Sequence, residues 1–251
     1  FATTNSSNTP ITGVISVTPS YTNAAVTCVG NPITFTITVN PIPVVNPVSN
    51  FIGCNGVVTK IDFSTPTSGG TVDFAWTNNN TGIGLGASGT GNISFLSANS
   101  GNGPINGAIN VTPKITSNAV TCNGAVVNFT ISINPTPKVN AVANQPVCNG
   151  ASTNAVNFGT TNTGGTVSFA WSNNNPSIGL GSNGTGNIAA FLAININDAP
   201  STGRIDVVPS FTNTNGGPTC DGASTNLFSY IVNPTPKVND VVSLIVCVST
   251  P

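Results

Sequence analysis

Apolar and polar positions alternate along several short stretches of the chain. Val127-Asn128-Phe129-Thr130-Ile131-Ser132-Ile133 alternates cleanly, residues 33–39 do the same, and residues 227–232 are a looser copy. A period of two sends alternate side chains to opposite faces of an extended backbone, so each stretch predicts a half-buried strand. Val72, Phe74 and Trp76 share one face of another such segment. Ala108-Ile109-Asn110-Val111-Thr112-Pro113 predicts a third, with counterparts at residues 14–19 and 205–209. Turn residues recur about every 8–12 positions, as a sandwich of short strands requires.

The same segments return at a fixed distance. Phe74-Ala75-Trp76-Thr77-Asn78-Asn79-Asn80 reappears as Phe169-Ala170-Trp171-Ser172-Asn173-Asn174-Asn175, an offset of 95 from Trp76 to Trp171. Ile83-Gly84-Leu85-Gly86 and Gly89-Thr90-Gly91-Asn92-Ile93 recur with it. Asn40-Pro41-Ile42-Pro43 returns as Asn134-Pro135-Thr136-Pro137 and Asn233-Pro234-Thr235-Pro236. The cysteines follow the same period in two series, Cys28, Cys122, Cys220 and Cys54, Cys148, Cys247. A period near 95 is too long for a solenoid repeat and suits a whole β-sandwich module. Paired prolines fix φ and remove N–H donors, so Asn-Pro-x-Pro predicts a short, stiff joint. The expected organisation is the C-terminal part of a module at 1–41, where Phe1 aligns with Phe95 and Phe191, whole modules at 42–135 and 136–234, and the N-terminal part of another at 235–251.

Composition points the same way. Charged residues are 4% of the 251, and there is no His, Glu or Met. Hydrophobic residues are 38%, too many for a disordered polar chain. The polar surface is therefore built from Asn, Thr, Ser and Gly. A net charge of −1 cannot neutralise a run of phosphates, so nucleic acid is not an expected partner. The apolar run at 241–248 is far short of the roughly 18 residues of a spanning helix, and no membrane insertion is expected of this segment. No signal peptide or initiator Met is visible, which predicts a processed or cut N-terminus.

Catalytic chemistry finds little to work with. A Ser or Cys triad needs a base, usually His. The only acids, Asp62, Asp73, Asp198, Asp206, Asp221 and Asp240, are scattered. The chain is accordingly read as no enzyme, with no catalytic, cofactor-binding or metal-ligating residues. Asp62 aligns with Asn157 and Asp73 with Ser168, so no carboxylate cage repeats, and only a weak Ca2+ site on backbone carbonyls stays open. Gly84 to Gly89 fits G-x-G-x-x-G, but no helix opens after it, so these glycines are expected in tight turns at positive φ. Trp76 and Trp171 are expected core aromatics. Asn78, Asn79, Asn80 and their copies Asn173, Asn174, Asn175 form the candidate ligand loop of an alternative function, carbohydrate binding. Asn5, Asn79, Asn92, Asn110, Asn128 and Asn183 fit the N-x-[ST] glycosylation pattern.

Val147-Cys148-Asn149-Gly150, Phe169 to Asn175, Gly184-Thr185-Gly186-Asn187-Ile188, Val207-Val208-Pro209 and Ile231 to Pro236 together resemble the PKD-like, Ig-like tandem repeats of giant cell-surface adhesins from gliding and other Gram-negative bacteria. That resemblance covers essentially the whole chain. It implies a non-enzymatic extracellular array acting as stalk, fibre or adhesin, with further copies or modules of the same protein as head-to-tail partners and surface glycans as candidate ligands. The last module departs from it, with Val248-Ser249 after Cys247 in place of Asn-Gly.

A secreted chain predicts oxidised cysteines. Spacing does not give connectivity. Cys54, Cys122, Cys148 and Cys220 are the disulfide candidates, with pairing inside modules favoured, Cys54 to Cys122 and Cys148 to Cys220. The rival scheme joins neighbours across each proline joint, Cys28 to Cys54, Cys122 to Cys148 and Cys220 to Cys247. Both ends of the chain fall inside a module, and because residues 1–41 and 235–251 together lack the Trp segment, a continuous array is expected over strand exchange between copies.

Overall fold

The computed structural model describes residues 2–248. Phe1, and residues 249–251 of the expected last module, lie outside them. Eighteen strands follow in order: β1 Ile11–Val17, β2 Ser20–Asn23, β3 Val26–Val29, β4 Ile33–Val39, β5 Phe51–Cys54, β6 Val58–Ile61, β7 Thr71–Asn78, β8 Ser88–Thr90, β9 Ile93–Leu96, β10 Ile105–Ser117, β11 Val120–Asn123, β12 Val127–Asn134, β13 Gln145–Cys148, β14 Gly165–Asn173, β15 Asn183–Thr185, β16 Ser201–Asn213, β17 Cys220–Asp221 and β18 Thr225–Asn233. Two single-turn 3-10 helices, Thr81–Ile83 and Pro176–Ile178, are the only helical elements among the described residues. The chain forms two compact units, residues 1–136 with 213–220, and residues 137–212 with 221–251.

In the first unit the main sheet runs β5-β12-β10-β7-β8, with β11 also on β10. Its ladders are antiparallel except β5–β12, which is parallel and sets Phe51 against Ile131 and Cys54 against Asn134. β6 and β9 form a second, two-stranded sheet. The alternation decides the packing. β12 buries Phe129, Ile131 and Ile133 and turns Asn128 out, and β10 buries Ile109, Val111 and Ile115. These side chains apart from Ile115, with Phe63, Phe74, Trp76 and Ile93, make one core between the sheets. Each contributes roughly 1.5–3 kcal/mol by leaving water. The result is an Ig-like β-sandwich, the class that the period-two pattern and turn spacing predict.

β1 and β4 form a further pair in this unit and copy β10 and β12 in register. Ile15 faces Phe35 as Ile109 faces Phe129, each residue displaced by 94.

The second unit repeats the main sheet as β13-β18-β16-β14-β15, with β17 on β16. β13 is again parallel to β18, with Cys148 against Asn233. Its core holds Phe158, Phe169, Ile178, Ile205, Phe228 and Tyr230. Opposite the main sheet stand two isolated bridges, Ser152 to Leu192 and Val156 to Ile188, where the first unit has a ladder. The sequence explains the loss: Val58-Thr59-Lys60-Ile61 is answered by Thr153-Asn154-Ala155-Val156, with fewer β-branched residues.

Pro113 sits inside the long β10 without breaking it. β12 pairs with β10 as far as Val111, and β11 takes over from Lys114. The Pro113 carbonyl accepts Gly124 N–H at 2.8 Å, so the missing N–H faces the gap between the two neighbours. Pro209 and Gly222 repeat the bond at 2.8 Å.

Candidate functional site

The Asn loop is the most elaborate polar feature of each unit. Asn78 ends β7 and is 6% exposed. Its Nδ2 donates to the carbonyls of Asn80 and Leu85, both at 2.9 Å, and its Oδ1 accepts Asn80 N–H at 3.0 Å. Asn80 Oδ1 caps the 3-10 turn by accepting Gly82 N–H at 3.0 Å, and Asn80 Nδ2 donates to Asn106 O at 2.9 Å. Asn79 is exposed, yet its Oδ1 accepts Ala108 N–H at 2.7 Å, extending the β7–β10 ladder by one bond. Asn173, Asn174 and Asn175 reproduce this arrangement. Asn173 Nδ2 donates to Leu180 O at 3.0 Å, Asn174 Oδ1 accepts Arg204 N–H at 2.8 Å, and Asn175 Nδ2 donates to Thr202 O at 3.1 Å. All six amides thus bond backbone groups of the loop or of the neighbouring strand β10 or β16, which need partners for their N–H and C=O groups.

Beneath the loop lies the tryptophan. Trp76 is 9% exposed and belongs to the first core; Trp171 is half-buried against the second. β8 places Gly89 directly opposite Trp76, and β15 places Gly184 opposite Trp171. A Cβ on Gly89 would strike Trp76 Cζ2, with Cε2 and Cη2 at 2.8 Å. The glycine run therefore has two uses. Gly84 and Gly179 take positive φ, 94° and 97°, where the 3-10 turns end. Gly89 and Gly184 do not: they are glycines because an indole ring lies on them, which corrects the expectation of turn geometry throughout.

The cysteines depart from both expected schemes. Cys54 is bonded to Cys220, 166 residues away, with Cα atoms 5.6 Å apart. Cys28, Cys122, Cys148 and Cys247 are free thiols. The pairing of Cys54 with Cys122 fails on distance. Cys54 stands beside the Ile133–Ile105 end of the sheet, whereas Cys122 faces Ile115. Ten β10 residues between those ends span about 33 Å, against the roughly 7 Å limit for a disulfide. The bonds Cys148 to Cys220, Cys28 to Cys54 and Cys220 to Cys247 are excluded because their shared partners are already joined.

Sequence reasoning missed the polar frame around this bond. Asn134, 0% exposed, donates from Nδ2 to Cys220 Sγ at 3.6 Å and accepts Asn213 Nδ2–H at 2.7 Å. Asn99 donates to Ile133 O at 2.7 Å, and its N–H reaches Asn55 Oδ1 at 2.8 Å. Asn195 and Asn149 repeat the Asn99–Asn55 bond at 2.8 Å in the second unit. The repeat period was the available signal: each of these Asn residues except Asn213 recurs about 95 positions away.

Among the sequons, Asn5 is tied to Val39 O at 2.8 Å and Asn92 to Asp62 at 2.8 Å, while Asn183 is exposed on β15. Asn110 and Asn128 face each other, exposed, across β10 and β12. No group of three or more His, Cys, Asp or Glu side chains among the described residues is arranged to hold a metal ion. No helix among them is long and apolar enough to cross a membrane.

Comparison with protein families and with curated proteins finds no match. Solved structures similar to the chain include protocadherin gamma B2 extracellular cadherin domains 3–6, at 10% identity and TM-score 0.37, over 90% of this chain and 60% of that one. The insect immune protein hemolin is similar at 14% identity and TM-score 0.31, over 88% of this chain and 56% of that one. The I9–I11 tandem of titin is similar at 10% identity and TM-score 0.30, over 91% and 94%. The chain thus spans about three-fifths of the length of the first two structures.

Proposed function

We propose that the chain is a non-enzymatic stretch of tandem Ig-like modules, 42–135 and 136–234 with partial modules at 1–41 and 235–251, serving as the stalk or fibre of an extracellular, bacterial surface adhesin. One observation carries this reading. Strand order, parallel edge strand, Trp–Gly contact and loop amide network occur twice in near-identical form. A repeated scaffold suits a spacer, whereas an active site would appear once. The Cys54–Cys220 bond suits an oxidising exterior. The resemblance to adhesin repeats supports the surface location, and the partners are further modules of the same protein, head to tail.

Mechanical unfolding tests this function. Pulled by its ends, the oxidised chain should unfold in discrete events while residues 54–220 stay closed by the disulfide. Reduction should then add the extended length of 166 residues, about 60 nm at about 3.6 Å each. Smooth extension without discrete events would remove the stalk reading. A specific hit on a glycan array, lost in Asn174→Ala, would move the function to sugar binding.

A further inference from the structure

The edge of β4 is a vacant strand site. In the first unit's main sheet, residues Ile131–Asn134 of β12 receive β5 in parallel, and β18 receives β13 in the same way. β4 is the copy of β12, displaced by 94, and its equivalent positions are Ile37, Thr38, Val39 and Asn40. Among the described residues β4 pairs with β1 alone. Those same four residues line a cleft of about 340 Å³ whose opposite wall includes Val120 and Cys122. The hydrogen bond that frames the site is already formed, since Asn5 Nδ2 reaches Val39 O at 2.8 Å as Asn99 reaches Ile133 O at 2.7 Å. The Asn40 Oδ1 atom is buried there with no partner, whereas Asn134 Oδ1 at the filled site receives Asn213.

The cysteine chemistry matches. Cys122 is the repeat counterpart of Cys220, and it lines the same cleft as Asn40, the counterpart of the Asn134 that bonds Cys220. At the filled site the incoming strand ends in Cys54, and Cys54 is bonded to Cys220. At the β4 cleft, Cys122 is a half-buried free thiol.

We propose that the β4 cleft binds a strand of the β5 kind from another module of this repeat, added in parallel, and that the cysteine ending that strand forms a disulfide with Cys122. The Cys54–Cys220 bond is then one rung of a ladder that recurs along the array. The mode is strand addition, with backbone hydrogen bonds supplying affinity and the terminal cysteine supplying register. Bond formation needs a two-electron oxidant, here a small-molecule disulfide. The incoming thiol first exchanges with oxidised glutathione, releasing one glutathione. The Cys122 thiolate then attacks the mixed disulfide at the peptide sulfur, the new S–S bond forms, and a second glutathione thiolate leaves and takes up the proton.

The inference rests on the tandem-array reading only for the origin of the strand, and its test reads the cleft itself. The probe is a peptide of residues 47–57, which contains β5 and its cysteine, added to the oxidised 251-residue chain in a glutathione buffer. Peptide mapping then reports which thiol it joins. Cys28 is the built-in control, because it lies in the β2–β3 hairpin just as Cys122 lies opposite β10, without the β4 edge beside it. The expected result is at least tenfold preference for Cys122 over Cys28, Cys148 and Cys247, lost with a scrambled peptide of the same composition. A Thr38→Pro variant, which removes an N–H from the free edge of β4 because Val39, not Thr38, turns its backbone towards β1, should lower the preference while the chain remains folded by its Trp fluorescence. Equal labelling of the four thiols, or equal labelling by the scrambled peptide, would overturn the proposal and leave the mechanical test of the stalk unaffected.

Discussion

Replacing Gly89 by alanine places a methyl group against the edge of the Trp76 ring. The new Cβ would meet Cζ2 in hard overlap, with Cε2 and Cη2 at 2.8 Å. Neither partner has an easy escape: β8 is held to β7 at Ala75, Trp76 and Thr77, and Trp76 is 9% exposed in the core. Overpacking of this kind costs about 1–3 kcal/mol. Gly86 is the control, because its nearest neighbour would be Ser88 O at 3.9 Å and its φ is not positive. There alanine restricts the unfolded chain at little native cost, which is neutral or stabilising by about 0.4–1 kcal/mol. Both substitutions should be made in a Trp171→Phe background, so that fluorescence reports Trp76 alone. With a urea m-value of about 1–3 kcal/mol/M, Gly89→Ala should lower the midpoint by about 1 M, and Gly86→Ala should leave it unchanged or raise it. Equal midpoints for the two variants would refute the assignment of Gly89 to the indole contact.

Asn78→Ala leaves the carbonyls of Asn80 and Leu85 without their donor, and should cost about 2–3 kcal/mol in urea unfolding, clearly more than Asn79→Ala. The β10–β11 turn holds Asn118 and Ala119 at φ 48° and 64°, the geometry of a type I′ turn. Ala119→Gly relieves a left-handed alanine and should raise stability by about 0.5–1 kcal/mol, read as a higher thermal midpoint. Tyr230 is fully buried against Phe191 and Phe228, and burial pushes its phenol up from 10.0 to about 12. The fold therefore keeps a proton that the unfolded chain loses. Stability should be complete below about pH 10 and fall as pH rises towards 12, and Tyr230→Phe should remove that fall from an alkaline unfolding series.

Much of this protein is legible in its residues alone. Strict alternation in residues 127–133 has one folded solution, a strand with Phe129, Ile131 and Ile133 inward, because side-chain direction follows from backbone geometry. The repeat of Phe-Ala-Trp with its Asn run, likewise, requires the same local structure twice, since identical short-range chemistry meets an identical core. The absence of His and Glu bears on function without any fold. What tertiary structure decided were relations between distant segments. Nothing local in Gly89 marks it as the seat of an indole ring; the β7–β8 register does. Nothing in Asn78-Asn79-Asn80 separates a ligand-binding amide from one bonded to Leu85 O or to the Ala108 N–H, because the partner lies across a strand or loop. The disulfide is the clearest case. Both expected pairings compared sequence spacing within or between neighbouring repeats, whereas a covalent bond depends on two Cα atoms lying 5.6 Å apart. The sheet carries Cys54 and Cys122 to opposite ends of β10, and brings the loop of residues 213–220 to Cys54 instead.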